Sequence, residues 1–472
     1  MANDFKTPGV YIVEIPKLPP SIASVETAIP AFIGYTEKAF RREANDLRDV
    51  PWRIESLLEY EQYFGSASPE AGSLQVVFDN SSGRLQVQAK ADEVTRSKFL
   101  MYYALQMFFA NGGGPCWIVS VGNYVDGGGL INDADLSRGL AEVEKINEVT
   151  LLNFPDAINL TDATVYYNLY KQAMDQCTNL QDRFTVFDLF HDVANGTTWR
   201  LDVDFMRTTV TNDINALKYA GIYFPKVYTT VNFNYAEDTV AIVTTGGAPA
   251  LPATLAELKN ANNAAYFQAK NALNNIENLL PVSSGILGIY AQVDNSRGVW
   301  KAPANINIDN VIRPEIIVSK EQQGGLNVDD TAGKSINVIR KFEGRGPAIV
   351  WGARTLAGND NEWRYVSVRR FFNMVEESTK NATEQFVFEP NDRNTWVRVK
   401  SMIENYLTTL WKAGALFGTS TREAFYVKVG LGETMTELDL WEGRMYVEIG
   451  LAVVRPAEFI ILKFMHKMLQ EA

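Results

Sequence analysis

Cysteine and histidine are scarce: the 472 residues contain two of each, Cys116, Cys177, His191 and His466. The cysteines lie far apart without C-x-x-C spacing, so neither a disulfide framework nor a zinc site is expected. Neither histidine has partners at ligand spacing and no G-x-S-x-G elbow occurs, which leaves metal and serine-hydrolase chemistry without motif support. Positive charge is also in deficit. Lys and Arg number 44 against 56 Asp and Glu, a formal net charge of −12, whereas a nucleic-acid binder needs a basic face for phosphates. No apolar run approaches the roughly 18 residues that span a bilayer, so no membrane insertion is expected. The opening MANDFKTPGV carries an acid and a proline where a secretory signal has a basic and then an apolar region, and the chain is read as cytoplasmic when made.

What is present is the composition of a folded protein. Hydrophobic residues make up 46% and charged residues 21%, which leaves little room for long disorder, and the length suggests about two to four domains. TRSKFLMYYALQMFFA, residues 95 to 110, has helical apolar spacing and ends at Asn111-Gly112. From CWIVSV onward strand-like and helix-like segments alternate: LSRGLAEVEKI, VTLLNFPD, VYYNLYKQAMDQC, RFTVFDLF and YAGIYFPKV. That alternation predicts a parallel βαβ sheet covered by helices. Residues 232 to 262, rich in Thr, Ala, Gly and Pro, read as loop or insertion, and the glycine runs at 112–114 and 127–129 as turns. From 347 the pattern reads as β-rich around one strong helix, TWVRVKSMIENYLTTLWKAGALF, with Asn391 or Asn394 as its N-cap.

Three places invite chemistry. Gly333-Lys334-Ser335 resembles the end of a phosphate-binding loop, but the first glycine of that loop would fall at 328, which is Val328, so the stretch reads as a polar surface loop. Asp156 and Asp188 follow strands, where α/β enzymes keep catalytic acids, with His191 and Asp192 nearby; the same positions suit turn and helix-capping roles. WRYVSVRRFF, residues 363 to 372, alternates like a half-buried strand, and Arg369 and Arg370 are expected to pair with carboxylates. No catalytic residue, cofactor or metal is assigned.

Both ends pose a separate question. Val10, Tyr11, Ile12, Val13 and Ile15 form a β-prone stretch closed by Pro16, Pro19 and Pro20, and EFIILKFMHKM follows Arg455-Pro456. The prolines discourage local hairpins, so the backbone groups of these strands need partners elsewhere, in this chain or another.

The stretches TPGVYIVEI, GGGPCWIVSV, SSGILGIYAQVDNSRGVWKAPAN, GPAIVWGARTL, WRYVSVRRFF, FEPND-x-x-x-W and VEIGLAVVRPAEFIILKF occur in this order over nearly the whole chain. Together they resemble contractile phage tail sheath proteins and the sheaths of extracellular contractile injection systems. The resemblance implies a structural subunit, not an enzyme, that polymerises into a helical sleeve around an inner tube and drives it through a target envelope by changing from extended to contracted packing. It implies a multidomain α/β and α+β fold: a linker arm at 1–20, an outer α/β region at 21–346 with an inserted part at about 130–280, an inner tube-facing α+β domain at 347–455, and a C-terminal arm at 456–472. Terminal strands would be exchanged between subunits, the N-terminal one through Val10, Tyr11, Ile12, Val13 and Ile15 and the C-terminal one through Phe459, Ile460, Ile461, Leu462 and Phe464. Glu437, Asp439 and Glu442 in TMTELDLWEG are the candidate tube contact. Implied partners are the chain itself, the inner tube protein, and baseplate and terminal cap proteins, with no nucleic acid, in a phage tail or a released particle. Two other readings stay open on the residues alone, a hydrolase-like α/β enzyme and another phage structural shell protein.

Overall fold

The βαβ alternation folds into an eight-stranded sheet, seen in a computed structural model that describes residues 22–126, 129–191 and 198–462. Its strands run Gly346–Val350, Asn337–Phe342, Ala220–Phe224, Phe184–Asp188, Leu151–Asn153, Pro30–Thr36, Cys116–Asn123 and Trp52–Ile54 in spatial order. The six inner strands are parallel, and each edge strand is antiparallel to its neighbour. Every residue of Pro30–Thr36, Phe184–Asp188 and Ala220–Phe224 is buried, as expected of strands covered on both faces. Helices Met101–Ala110, Asp133–Val143, Ala163–Leu180 and Ser283–Arg297 pack around it. Gly288 is what lets the last of these touch the first, because a Cβ there would stand 2.4 Å from the Phe108 carbonyl oxygen.

Two compact units emerge. One holds Glu26–Glu376 with the chain from Arg455, the other Glu377–Val454 with the described residues up to Val25. Within the first, strands Ala241–Thr245, Leu74–Asp79 and Gln86–Ala91 make a separate three-stranded sheet under helices Leu255–Ala261 and Asn263–Asn274. Leu74, Val76, Phe78, Val240, Ile242, Leu255 and Leu258 form its own core. The stretch from 232 to 262, read as loop or insertion, is not loop throughout: it contributes strand Ala241–Thr245 and helix Leu255–Ala261, because Val240, Ile242 and later Leu255 and Leu258 outweigh the surrounding Thr, Gly and Pro.

The late region departs further from expectation. WRYVSVRRFF is no strand: it enters helix Val366–Thr383. Val368, Phe371 and Val375 are buried at helical spacing, a pattern visible only when the window extends past the arginine pair. The strong helix spans Arg393–Lys412 and buries Val399, Met402, Ile403, Tyr406, Leu407 and Leu410. Its N-cap is Asp392, whose Oδ1 accepts from the Thr395 N–H at 3.0 Å. Asn391 instead accepts from the Trp396 indole at 2.7 Å and donates to the Arg444 carbonyl at 2.9 Å. The unit Glu377–Val454 is thus mainly helical rather than β-rich, with two strands, Phe425–Lys428 and Glu448–Leu451, paired antiparallel.

Candidate assembly surfaces

The interior polar groups come first, because they decide whether the fold houses chemistry. Asp156 accepts three main-chain hydrogen bonds, from Leu100 at 2.6 Å, Met101 at 3.1 Å and Tyr35 at 2.7 Å. It caps helix Met101–Ala110 from a distance, which is why that helix begins at 101 rather than 95. Asp188 does the same for helix Ser283–Arg297 through Val282 N–H at 2.8 Å and Ser283 N–H at 3.1 Å. Burial pushes Asp156 up to about 7 and Asp188 to about 6 against the pull of these donors. A cavity of about 700 Å³ opens near the carboxyl ends of the strands, lined by His191, Lys226, Arg96 and Glu315 among others, and neither aspartate lines it. His191 Nδ1 is taken by Asp202 at 2.5 Å. The aspartates are caps, and among the described residues they do not join His191 in lining the cavity; Asp192 lies outside the described residues.

Gly333-Lys334-Ser335 is not the surface loop expected. Lys334 and Ser335 are fully buried. The Lys334 ammonium donates to the carbonyls of Arg207 at 2.5 Å and Val210 at 2.7 Å and to Asn212 Oδ1 at 2.8 Å, closing the end of helix Trp199–Thr209. Arg370 and Arg369 pair with carboxylates as expected, Arg370 with Asp294 at 2.5 Å and Arg369 with Glu376 at 2.7 Å. Among the described residues no group of three or more His, Cys, Asp or Glu could hold a metal ion, and no helix is long and apolar enough to cross a membrane.

The surfaces are more informative. After strand Glu448–Leu451 the chain reaches Glu458, whose carboxylate meets Arg354 Nη2 at 2.6 Å, Arg354 Nε at 2.9 Å, Asn327 Nδ2 at 2.8 Å and Tyr365 Oη at 3.1 Å. Burial raises the Glu458 carboxyl, but the Arg354 and Asn327 hydrogen bonds outweigh it and hold it below the usual range. Immediately beyond, Phe459, Ile460, Ile461 and Leu462 are 70 to 80% exposed and pair with no strand. Phe464 and the N-terminal candidates Val10, Tyr11, Ile12, Val13 and Ile15 lie outside the described residues.

The two-stranded sheet pairs Phe425 with Leu451 and Lys428 with Glu448, and has no third strand among the described residues. A lone pair of strands is marginal and leaves open edges. In the same unit, TMTELDLWEG forms helix Glu437–Trp441. Its three candidate acids differ. Asp439 closes a capping box with Thr436, whose hydrogen bonds hold it below the usual carboxylate range. Glu442 pairs with Arg444 at 2.7 Å, and Glu437 has no partner among the described residues. Beside them stand two apolar groups that the charge argument missed, Leu438 and Trp441, the latter 82% exposed. Phe388 of the FEPND stretch is also bare, 102% exposed at a φ of 69° that an aromatic residue rarely adopts. Exposed aromatics of this kind mark contact surfaces, and both lie in stretches legible in the sequence, Phe388 in FEPND and Trp441 in TMTELDLWEG.

A family model for the phage tail sheath C-terminal domain matches residues 358–466. The contracted helical sheath of the anti-feeding prophage, solved by cryo-EM, contains a chain 30% identical, with 98% of this chain and 99% of that chain covered and a TM-score of 0.64. The contracted sheath complex of the extracellular contractile injection system PVC gives 28% identity, 98% coverage of both chains and a TM-score of 0.65. The tail sheath protein of Vibrio phage KVP40 is 26% identical over 155 residues, which are 32% of this chain and 22% of that protein. Such curated phage relatives are matched over only a fifth to a third of their length, whereas the injection-system sheath is matched end to end at 30% identity. On that full-length match, the chain belongs to the contractile sheath proteins of phage tails and phage-tail-like injection particles.

Proposed function

We propose that this chain is the repeating subunit of a helical contractile sleeve, linked to its neighbours by donated strands. The observation that carries the reading is the run Phe459–Leu462, four large apolar side chains in a row left to solvent beyond a buried anchor. Burying each contributes about 1.5–3 kcal/mol, and the open two-stranded sheet of Phe425–Lys428 and Glu448–Leu451 is a receptor of the right kind. A strand given to an identical neighbour is a heterologous contact, and such contacts propagate into helices instead of closing. Residues 1–20, with Val10 to Ile15, supply the second donated strand.

In this arrangement the inner domain, 347–455, faces the tube, with helix Glu437–Trp441 as its contact. The outer region, 21–346 with the inserted part at about 130–280, forms the outside of the sleeve, and baseplate and cap proteins bound its ends. Contraction is a switch between two packings of the same subunits with strand links intact, and it needs no nucleotide. The sleeve is made in the cytoplasm and works in a phage tail or a released particle. Electron microscopy of the full chain expressed alone tests the reading: long hollow cylinders are expected, and a stable monomer that folds its terminal strands onto its own sheet overturns it.

A further inference from the structure

Three of the ordered motifs, far apart in sequence, meet at one carboxylate. WGARTL supplies Arg354, WRY supplies Tyr365, and VRPAEF supplies Glu458. Arg354 is only 3% exposed, and its third nitrogen is committed elsewhere, Nη1 donating to the Asn327 carbonyl at 3.1 Å and the Gly358 carbonyl at 3.3 Å. Its main chain is held too: Asn337 accepts from the Arg354 N–H at 2.8 Å and donates to the Arg354 carbonyl at 2.8 Å. Asn337 opens a strand of the large sheet. The guanidinium fork is therefore fixed before Glu458 arrives, and both carboxylate oxygens are fully engaged, a geometry that restrains direction as well as distance. One residue later the apolar run begins.

We propose that Glu458 is a positioning residue: through Arg354 it pins the root of the C-terminal arm to the large sheet, so that the strand leaves every subunit from the same point and load on the arm enters the α/β unit there. The inference rests on the reading of Phe459–Leu462 as a donated strand. An arm without a fixed root samples many directions, and the effective concentration of its strand at the neighbour's sheet falls accordingly.

The test uses the full chain carrying nitroxide labels at Ile460→Cys and Glu321→Cys, the latter on helix Lys320–Asn327 of the same unit. In unassembled parent subunits the label distance distribution is expected to be narrow. Glu458→Gln should at least double its width and shorten polymers in micrographs at least fivefold. Arg354→Met with Glu458→Gln removes both charges together, so no lone charge is left buried, and it should show the same broadening with parental circular dichroism, at a melting temperature lowered because the Asn327 and Gly358 carbonyls lose their donor. Parental label width or parental polymer length in this double variant overturns the clamp. Deletion of 459–472 tests the underlying reading separately: normal polymers after deletion remove the donated strand itself, whereas lost polymers on deletion with parental behaviour of the double variant remove only the clamp.

Discussion

At the scale of single residues, the two buried aspartates show how position alone leaves a role undecided. Each follows a parallel strand, where a catalytic acid and a helix cap look alike in sequence; which atoms surround the oxygens separates them. Both Asp156 oxygens accept main-chain N–H groups, Oδ1 from Leu100 and Met101 and Oδ2 from Tyr35. Asp156→Asn turns one acceptor into a donor facing a donor and should cost about 1–3 kcal/mol in urea unfolding; an unchanged midpoint contradicts the capping role. Asp188 differs, because Oδ1 carries its two shortest bonds, so Asp188→Asn keeps them and should fold. Burial raises Asp188 from 3.8 to about 6, so the native state keeps a proton that the unfolded chain has released. Its contribution to stability is therefore full below about 4 and lost as pH rises to about 6. The parent's unfolding free energy relative to Asp188→Asn should decline across that window and be flat outside it, and a difference that grows with pH is incompatible with this assignment.

At the scale of elements, helix Glu437–Trp441 gives its acids separate jobs. Asp439 holds the helix start as the N3 partner of the cap residue Thr436, so Asp439→Ala should lower the melting temperature by opening the capping box, whatever the helix touches. Glu437→Lys leaves the capping box intact and should not move the melting temperature. If the helix meets a basic tube surface, Glu437→Lys should reduce co-assembly with the tube, most visibly at low salt where exposed charges are least screened, and Trp441→Ala should reduce it at any salt. Normal co-assembly by both variants removes this helix as the contact. Elements were legible where a periodic signal ran long, as in Ala163–Leu180 and Arg393–Lys412. They are ambiguous where the window is short: the first turns of Val366–Thr383 alternate apolar and polar residues as a half-buried strand does. The burial of Lys334 was illegible, since its three acceptors come from Arg207, Val210 and Asn212, more than a hundred residues away.

At the scale of the whole molecule, the legible feature was the order of the motifs, and the illegible one was that Arg354, Tyr365 and Glu458 meet in space. Charge complementarity between WGARTL and VRPAEF was present, but nothing local says that they touch. The opening stretch rests on the same logic of unmet partners. Val10, Tyr11, Ile12, Val13 and Ile15 are separated from Ile22, the first described residue, by Pro16, Pro19 and Pro20, so removing residues 1–15 should leave both compact units folded. Pairing about six residues makes about four to six ladder bonds at about 0.5–1.5 kcal/mol net each, a loss of several kcal/mol per subunit link. Ile12→Pro is the gentler variant, since it deletes one backbone donor and sterically blocks the ladder while keeping the arm. Circular dichroism and melting of the subunit should match the parent, while micrographs show rings or short stacks in place of continuous sleeves. Sleeves of Ile12→Pro that assemble and contract as one body remove the N-terminal strand as a link between subunits, and leave the C-terminal arm to carry the connection alone.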